Sequence, residues 1–318
     1  MESRKIQKLG PSSLFITLPK SWVEKVNLKL GDTVLVVEEP DGSLKIVPST
    51  IGGAREKSLK VELESAIKAR AISRLLTCAY ILGYDSIEFQ SLKEIDKGFI
   101  EELDKNLKYF MGMIMLGTAK HSVKAECLID PKKLDEESII KKLLSTLVDD
   151  VINVIVNNLK GKGKVSVRED SIVELRRLHN LIMRILISGS EKCGVRKAIY
   201  FVAAALFEMV TDYMLSSAEA SSTIEISEKC KSISEKIIRM YTEFTHVVTD
   251  SLGSLINRSL KRALASIEAS KELLDNAENL LEYIIREVKE PRLAAKLNYI
   301  VMKLIDSVSY THLTLPTN

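Results

Sequence analysis

The chain is poor in residue types that mark several protein classes. Aromatic residues make up 5% of its 318 residues, and it has only four cysteines and four histidines. The cysteines lie far apart with no Cys-x-x-Cys spacing, so we expect reduced thiols and neither a disulfide framework nor a zinc site. The first residues contain no apolar signal region. These absences favour a cytoplasmic protein.

Catalytic and membrane-spanning patterns are lacking too. Residues 57–130 contain no glycine-rich phosphate loop and no nucleophile motif, and no Ser-His-Asp order is legible along the chain. The histidines have no partner at ligand spacing. The longest apolar stretch, Ala198 to Val210, is too short to cross a bilayer and contains Glu208. We therefore expect no enzyme activity and no membrane insertion.

The first fifty residues form a short, two-faced strand unit with its positive charge at one end. Residues 1–30 hold six Lys or Arg against two acids. Apolar positions alternate around a Gly10-Pro11 turn, a short helix opens at Pro19, and Asp41-Gly42 predicts a hairpin turn. A unit of this size buries too little surface to be stable alone. It should pair with a copy of itself.

The string Leu-Gly-Pro-Ser-Ser-Leu-Phe-Ile-Thr-Leu-Pro-Lys, residues 9–20, resembles the AbrB/SpoVT swapped-hairpin domain. The resemblance covers about residues 3–48 and implies an intertwined homodimer that binds DNA. It also implies that four basic side chains face the phosphates: Arg4, Lys5, Lys8 and Lys20. The alternative is that these bases are ordinary solvated residues on a module that only dimerises.

Residues 57–130 predict a small α/β lobe, separated from the first fifty residues by a linker at 49–54. The expected elements are strands at 59–63, 86–90 and 123–129 and helices at 65–83 and 97–116. Its role, whether spacer or ligand-sensing lobe, stays open.

Nearly everything beyond residue 130 predicts helix, so the fold class is α+β, mostly α. The expected helices cover 134–159, 168–189, 195–220, 227–268, 270–289 and 291–308. They form two similar three-helix repeats, about 134–220 and 227–308, with Asp212 opposite Asp306, which fits a helical bundle. Residues 309–318 lose helical character and resemble translated adapter sequence, so we expect a non-native tail.

Two helical segments resemble PhoU proteins. They are Leu206-Phe-Glu-Met-Val-Thr-Asp-Tyr-Met-Leu-Ser-Ser-Ala-Glu219 and Asp170-Ser-Ile-Val-Glu-Leu-Arg-Arg-Leu-His-Asn-Leu-Ile-Met-Arg184. With the hairpin module and the mixed lobe, they match an archaeal arrangement. The resemblance implies a regulator of phosphate uptake that acts on a phosphate ABC transporter or its ATPase subunit. It also implies metal clusters at Glu/Asp-x-x-x-Asp motifs.

Carboxylates on the helices are the candidate metal ligands. Glu208, Asp212 and Glu219 share one stripe of an otherwise apolar helix, and such oxygen ligands suit Mg, Mn or Fe. The alternative is that the stripe is only a solvent-facing edge. The second repeat keeps Asp306, but Met302 stands where its partner acid should be. Asp150 and Asp250 are auxiliary candidates, for which ordinary surface residues are the competing explanation.

These observations predict a dimeric regulator of phosphate uptake that binds DNA through its hairpin module and a metal or partner through its bundle. The alternative is a protein-interaction adaptor that acts on the transporter without DNA contact. The third hypothesis, a metal-dependent hydrolase, is supported only by the clustered acids.

Overall fold

The computed structural model describes residues 3–10, 13–38, 42–48, 57–63, 69–188, 195–227 and 230–313. The chain divides into two compact units, Met1–Lys57 and Ser58–Asn318. Small sheets and long helices in these residues confirm the predicted α+β, mostly α class. The predicted linker at 49–54 lies outside the described residues, and the finer domain boundaries stay predictions.

The first unit consists of two antiparallel strand pairs and one short helix. Strand β1 (Gln7–Leu9) pairs with β2 (Ser13–Phe15), helix α1 covers Lys20–Lys25, and β3 (Val34–Glu38) pairs with β4 (Leu44–Pro48). Gly10 and Gly42 adopt φ of 70° and 77°, which glycine tolerates at turns. The predicted strand and hairpin pattern is confirmed, although Pro11 and Asp41 lie outside the described residues.

This unit has almost no core of its own. Among its described side chains, Pro48 alone is buried. Large apolar residues are instead exposed, including Ile6 at 68%, Leu14 at 70% and Leu44 at 67%. Burying one such side chain contributes about 1.5–3 kcal/mol. The single chain therefore leaves much of the available hydrophobic stabilisation unused.

The second unit begins with a four-stranded sheet covered by two helices. Its elements are β5 (Ser58–Glu62), α2 (Ala69–Ile81), β6 (Ser86–Gln90), α3 (Lys97–Leu107), β7 (Met113–Ala119) and β8 (Ser122–Cys127). The strand order is β5-β6-β8-β7, with β5 and β6 parallel and the other pairs antiparallel. Alternate sheet residues such as Phe89 and Val123 share a buried core with Leu76 and Leu103 of the helices. The predicted lobe is present, although residues 65–68 of its first helix lie outside the described residues.

The predicted helix at 97–116 is wrong in its second half. Helix α3 ends at Leu107, and Met113 begins strand β7. Gly112 has φ of 78°, and a Cβ there would lie 2.4 Å from Ile129 Cγ1. The apolar spacing continues through this point, but the helix ends five residues earlier, and the left-handed Gly112 turns the chain into β7.

The rest of the unit is helical. The helices are α4 (Glu136–Thr146), α5 (Asn153–Leu159), α6 (Glu169–Ser188), α7 (Val195–Ser222), α8 (Lys231–Asn257), α9 (Leu260–Glu287) and α10 (Pro291–Leu313). A π-helical turn, Leu147–Ile152, joins α4 to α5 where one continuous helix was predicted. One hydrophobic core runs through all seven.

The predicted boundary between the fourth and fifth helices, near residue 269, is wrong. The chain turns at Arg258, which adopts a left-handed φ of 51°, and the Ser259 hydroxyl accepts a hydrogen bond from the Arg262 backbone N–H at 3.4 Å. A left-handed residue that ends one helix and a serine that caps the next supply the break. Neither glycine nor proline marks this position in the sequence.

Helices α7 and α10 form the most extensive helix–helix contact of the described residues. The rings of Tyr213 and Tyr310 stack between them at 5.8 Å. The last helix ends at Leu313, and Thr311 on it is buried. Helical structure therefore continues past the predicted end at residue 308. Residues 314–318 of the predicted non-native tail lie outside the described part of the chain.

Helix α7 is longer than the apolar stretch identified in the sequence. Within the described residues, Lys197–Ser222 is the one segment with the length and composition of a membrane span, with a mean hydropathy of 1.5. A mostly buried core helix meets the same criteria, whereas 33% of this window is buried and α7 packs along α10. One such helix is weak support for membrane insertion.

Arg184 of α6 joins the bundle to the lobe. It is 1% exposed, and its guanidinium donates to the carbonyls of Tyr80 and Tyr84 at 2.8 and 2.9 Å and to Asp85 at 2.7 Å. The guanidinium also lies over the Tyr80 ring. Because these partners end α2 and precede β6, Arg184 fixes the lobe against α6.

Candidate functional site

The predicted acid stripe is present on α7. The helix is continuous from Val195 to Ser222, so Glu208, Asp212 and Glu219 lie on one side of it. Glu208 is half-buried, whereas Asp212 and Glu219 are exposed. The stripe thus runs from a half-buried acid to exposed ones, and helix α6 contacts the end that carries Glu208 and Asp212.

Arg176 of α6 bridges two of these acids. Its Nη1 donates to Glu208 Oε1 at 3.0 Å, and its Nη2 donates to Asp212 Oδ1. The guanidinium side chain is 32% exposed, so the pair is partly shielded from solvent. A charge-assisted contact of this kind is stronger than a pair in open water. The arrangement ties α6 to α7.

His179 completes this cluster from the buried side. Its Nε2 lies 2.9 Å from Glu208 Oε2, and its side chain is 8% exposed. The hydrogen bond from His179 lowers the pKa of the Glu208 carboxyl, and the charge of Arg176 adds to this effect. Glu208 is thus held as a carboxylate between an imidazole and a guanidinium. We call Arg176, His179, Glu208 and Asp212 the α6–α7 cluster.

The other predicted metal ligands lie elsewhere. Asp306 on α10 accepts a hydrogen bond from Lys303 at 3.0 Å, and this contact raises the pKa of the lysine. It does not join the α6–α7 cluster. Met302, one turn before it, is 53% exposed.

Asp150 and Asp250 play matching roles in the two repeats. Asp150 lies 3.4 Å from Arg168 Nη2, and Asp250 lies 2.7 Å from Arg262 Nη2. In both cases the arginine stands at the start of the following helix. Asp150 also accepts a hydrogen bond from the buried Ser171 hydroxyl at 2.8 Å. Both acids therefore connect consecutive helices.

The described residues contain no group of three or more His, Cys, Asp or Glu side chains placed to hold a metal ion. Glu208 Oε2 lies against His179, and Glu208 Oε1 and Asp212 Oδ1 already bind Arg176. A cation at these two oxygens would have to displace the guanidinium. Mg, Mn or Fe at this position stays a prediction.

The four predicted DNA-binding residues are all exposed on the first unit. Lys8 lies in β1, and Lys20 opens α1, where it is 3.8 Å from Glu24. Arg4 and Lys5 precede β1 in the chain. Such side chains can reach a phosphate without desolvating a core.

The sequence interpretation missed Arg176 and His179. His179 was set aside because it has no partner at ligand spacing in the sequence, and Arg176 was not singled out. One signal was available in the sequence: Arg176 has no acid three or four residues away on its own helix that could pair with it.

Comparisons with known proteins concern the first unit alone. Residues 7–53 match the family model described as antidote-toxin recognition MazE, bacterial antitoxin. This match supports the AbrB-like part of the predicted resemblance and ends before the second unit begins. No curated protein and no solved structure matches the chain. The PhoU resemblance of the helices gains no support from these comparisons.

Proposed function

We propose that this protein is a cytoplasmic, dimeric, DNA-binding regulator, with its helical bundle as the part that receives a signal. The observation that carries the proposal is the first unit, which lacks a core and matches an antitoxin family model over residues 7–53. Exposed apolar strands and exposed basic residues occur together in it. A second copy would cover the former and leave the latter to contact an anion.

Dimerisation is the first step to test. Leu14→Lys and Leu44→Lys introduce charges on the exposed strand faces, and Leu92→Lys introduces one at an exposed leucine of the second unit. Analytical ultracentrifugation of the full chain should show a dimer for the parent and for Leu92→Lys, and a monomer for the other two. A parent that stays monomeric at micromolar concentration would overturn the proposal.

DNA contact is tested by the salt dependence of binding. Fluorescence anisotropy with a mixed-sequence 30-bp duplex should give an affinity that falls steeply with salt, because bound phosphates release counterions. Glutamine at Arg4, Lys5, Lys8 and Lys20 should lower the slope of log affinity against log salt by about 0.9 for each contact removed. Lys45→Gln is the control in the same unit. Absence of binding at low salt would contradict DNA contact, and the protein-interaction adaptor would be the remaining hypothesis.

For the bundle, we propose a role in phosphate uptake, through a metal or a protein partner such as the phosphate transporter ATPase. With α4 and α5 counted as one segment joined by the π-helical turn, six helical segments follow in two groups of three, which supports this, as does the acid stripe on α7. Elemental analysis of the purified protein, beside a Glu208→Ala/Asp212→Ala variant, tests the metal. Equal metal content in both proteins would contradict it.

The adaptor is the second candidate, and the outer face of α7 favours it. Phe201, Val202 and Met209 are 38%, 49% and 37% exposed there. An apolar face of this kind can contact a protein partner. For the third hypothesis, the metal-dependent hydrolase, we expect no hydrolysis of phosphate esters when divalent metals are added. Hydrolysis under these conditions would support that hypothesis.

A further inference from the structure

The connection between α5 and α6 is longer than its counterpart in the second repeat. Nine residues, 160–168, join these two helices, whereas Arg258 and Ser259 alone join α8 to α9. In the second repeat, two residues are thus enough to reverse the chain between the first two helices. Residues 160–166 of the longer connection are all exposed. Binding residues are found disproportionately on surface loops of this kind.

This loop carries positive charge and no acid of its own. Residues 158–166 hold Lys160, Lys162 and Lys164 and contain neither Asp nor Glu. The ammonium group of Lys164 lies 2.6 Å from a carboxylate oxygen of Glu225. Lys160 and Lys162 have no ion pair among the described residues. At least two of the three cations are therefore available to an anionic partner.

The buried side chain of Asn158 closes the base of the loop. Its Nδ2 donates to the Val165 carbonyl at 2.9 Å and to the Ser221 hydroxyl of α7 at 3.0 Å, and its Oδ1 accepts from the Val165 N–H at 2.8 Å. Gly161 and Gly163 adopt φ of 71° and 132°, which glycine tolerates. The two ends of the loop are thus tied to each other and to α7. A loop held in this way loses less conformational entropy when it binds a partner.

We propose that this loop binds the phosphate backbone of DNA, as a second contact beside the one proposed for the first unit. The inference rests on the proposed function, because it takes DNA as the ligand of the chain. Residues 160–164 consist only of Lys and Gly, so we expect a contact with phosphates that is independent of base sequence. Because both units belong to one chain, DNA held by the first unit stays at high local concentration around the second.

The salt dependence of DNA binding measures this contact in the full chain. With the duplex used for the first unit, Lys160→Gln/Lys162→Gln should lower the slope of log affinity against log salt by about 1.8, or about 0.9 for each phosphate contact. Lys160→Arg/Lys162→Arg retains both charges and should retain the parent slope. Lys93→Gln/Lys97→Gln removes the same charge from exposed positions of the lobe and is the matched control.

The outcomes separate this inference from the proposed function. An unchanged slope in Lys160→Gln/Lys162→Gln, beside a lowered slope in the glutamine variants of the first unit, would refute the loop contact alone. The opposite pattern would support the loop contact and contradict DNA binding by the first unit. An equal loss of slope in the lobe control would assign the effect to net charge and refute the loop contact. A parent that does not bind the duplex would refute both proposals.

Lipid headgroups are the other source of phosphate groups, and a vesicle assay distinguishes them from DNA. Vesicles of phosphatidylcholine and phosphatidylglycerol in equal parts present lipid phosphates on an anionic surface. Cosedimentation with these vesicles should be the same for the parent and for Lys160→Gln/Lys162→Gln. If vesicle binding fell in this variant while its DNA slope stayed at the parent value, the loop would be a membrane contact and the proposal would be wrong.

Discussion

The two helical repeats share a skeleton but differ in their charges. A shift of 94 residues carries Arg168 onto Arg262 and Asp212 onto Asp306, and both repeats connect their first two helices through an Asp–Arg pair. The same shift carries Arg176 onto Ser270 and Glu208 onto Met302. The first repeat therefore has both the guanidinium and the acid, and the second has neither.

We infer from this difference that the partly buried charges of the first repeat depend on each other. A partly buried arginine without its acid, or the acid without its arginine, would leave a charge that is poorly solvated and unpaired. Ser270, in place of the arginine, is fully buried and donates to the Ser266 carbonyl. Asp306 obtains its counter-charge from Lys303, which lies on α10 with it. The second repeat keeps the geometry with less charge.

The largest expected effect comes from Arg184, through which the first repeat contacts the lobe. Arg184→Ala should lower the free energy of unfolding by about 3–5 kcal/mol, because it removes a buried cation together with its hydrogen bonds to Asp85 and to the carbonyls of Tyr80 and Tyr84. Urea denaturation followed by circular dichroism measures this. Glu278, the matching position of the second repeat, is exposed, and Glu278→Ala should change little. Similar losses in both variants would contradict the role of Arg184.

The next largest effect is expected when residues of the second repeat replace those at the matching positions of the first. Glu208→Met alone should cost about 1–3 kcal/mol, since His179 loses its acceptor and Arg176 keeps only Asp212. Arg176→Ser together with Glu208→Met should cost less than the sum of the two single changes, by at least about 0.5 kcal/mol. Chemical denaturation of all four proteins completes the cycle. Additive losses would show that the two residues act independently.

A smaller effect should appear as a dependence on pH. The folded-state pKa of Glu208 lies below its ordinary value of 4.5, so its contribution to stability is complete above pH 4.5 and is lost as the pH falls through the folded pKa. The stability difference between the parent and Glu208→Gln should therefore shrink with acidification below pH 4.5. Met302→Gln, at the matching position, should give a difference that is constant over this range. A Glu208→Gln difference that does not shrink would be inconsistent with the lowered pKa.

The smallest effects concern the ion pairs that both repeats share. Asp250→Asn should cost only about 0–1 kcal/mol, because Asp250 and Arg262 are each about half exposed. Asp150→Asn should cost somewhat more, since the buried Ser171 hydroxyl loses a charged acceptor. Thermal melting of the two variants ranks them. If Asp250→Asn lowered the melting temperature more than Asp150→Asn, the expected difference between the two ion pairs would be wrong.

Periodicity was enough to predict most of the architecture. Most helices and three of the four lobe strands follow from apolar spacing, since burial on one face dictates it, whereas β7 was missed and partly assigned to a helix. The breaks at Gly112 and Arg258 depend on left-handed backbone, which periodicity does not reveal. The candidate site was predicted only as a row of acids on one helix. Arg176 and His179 come from another helix, and only the packing of α6 on α7 brings them to Glu208.

The isolation of Pro48 as the one buried side chain of the described first unit has a consequence for regulation. If a second copy completes its interior, the folded fraction of this unit follows mass action and rises with copy number. Dilution alone would then switch off whatever the unit recognises, while the helical unit, which has a full core, would persist. The cellular concentration of the protein would thereby be a regulatory signal by itself.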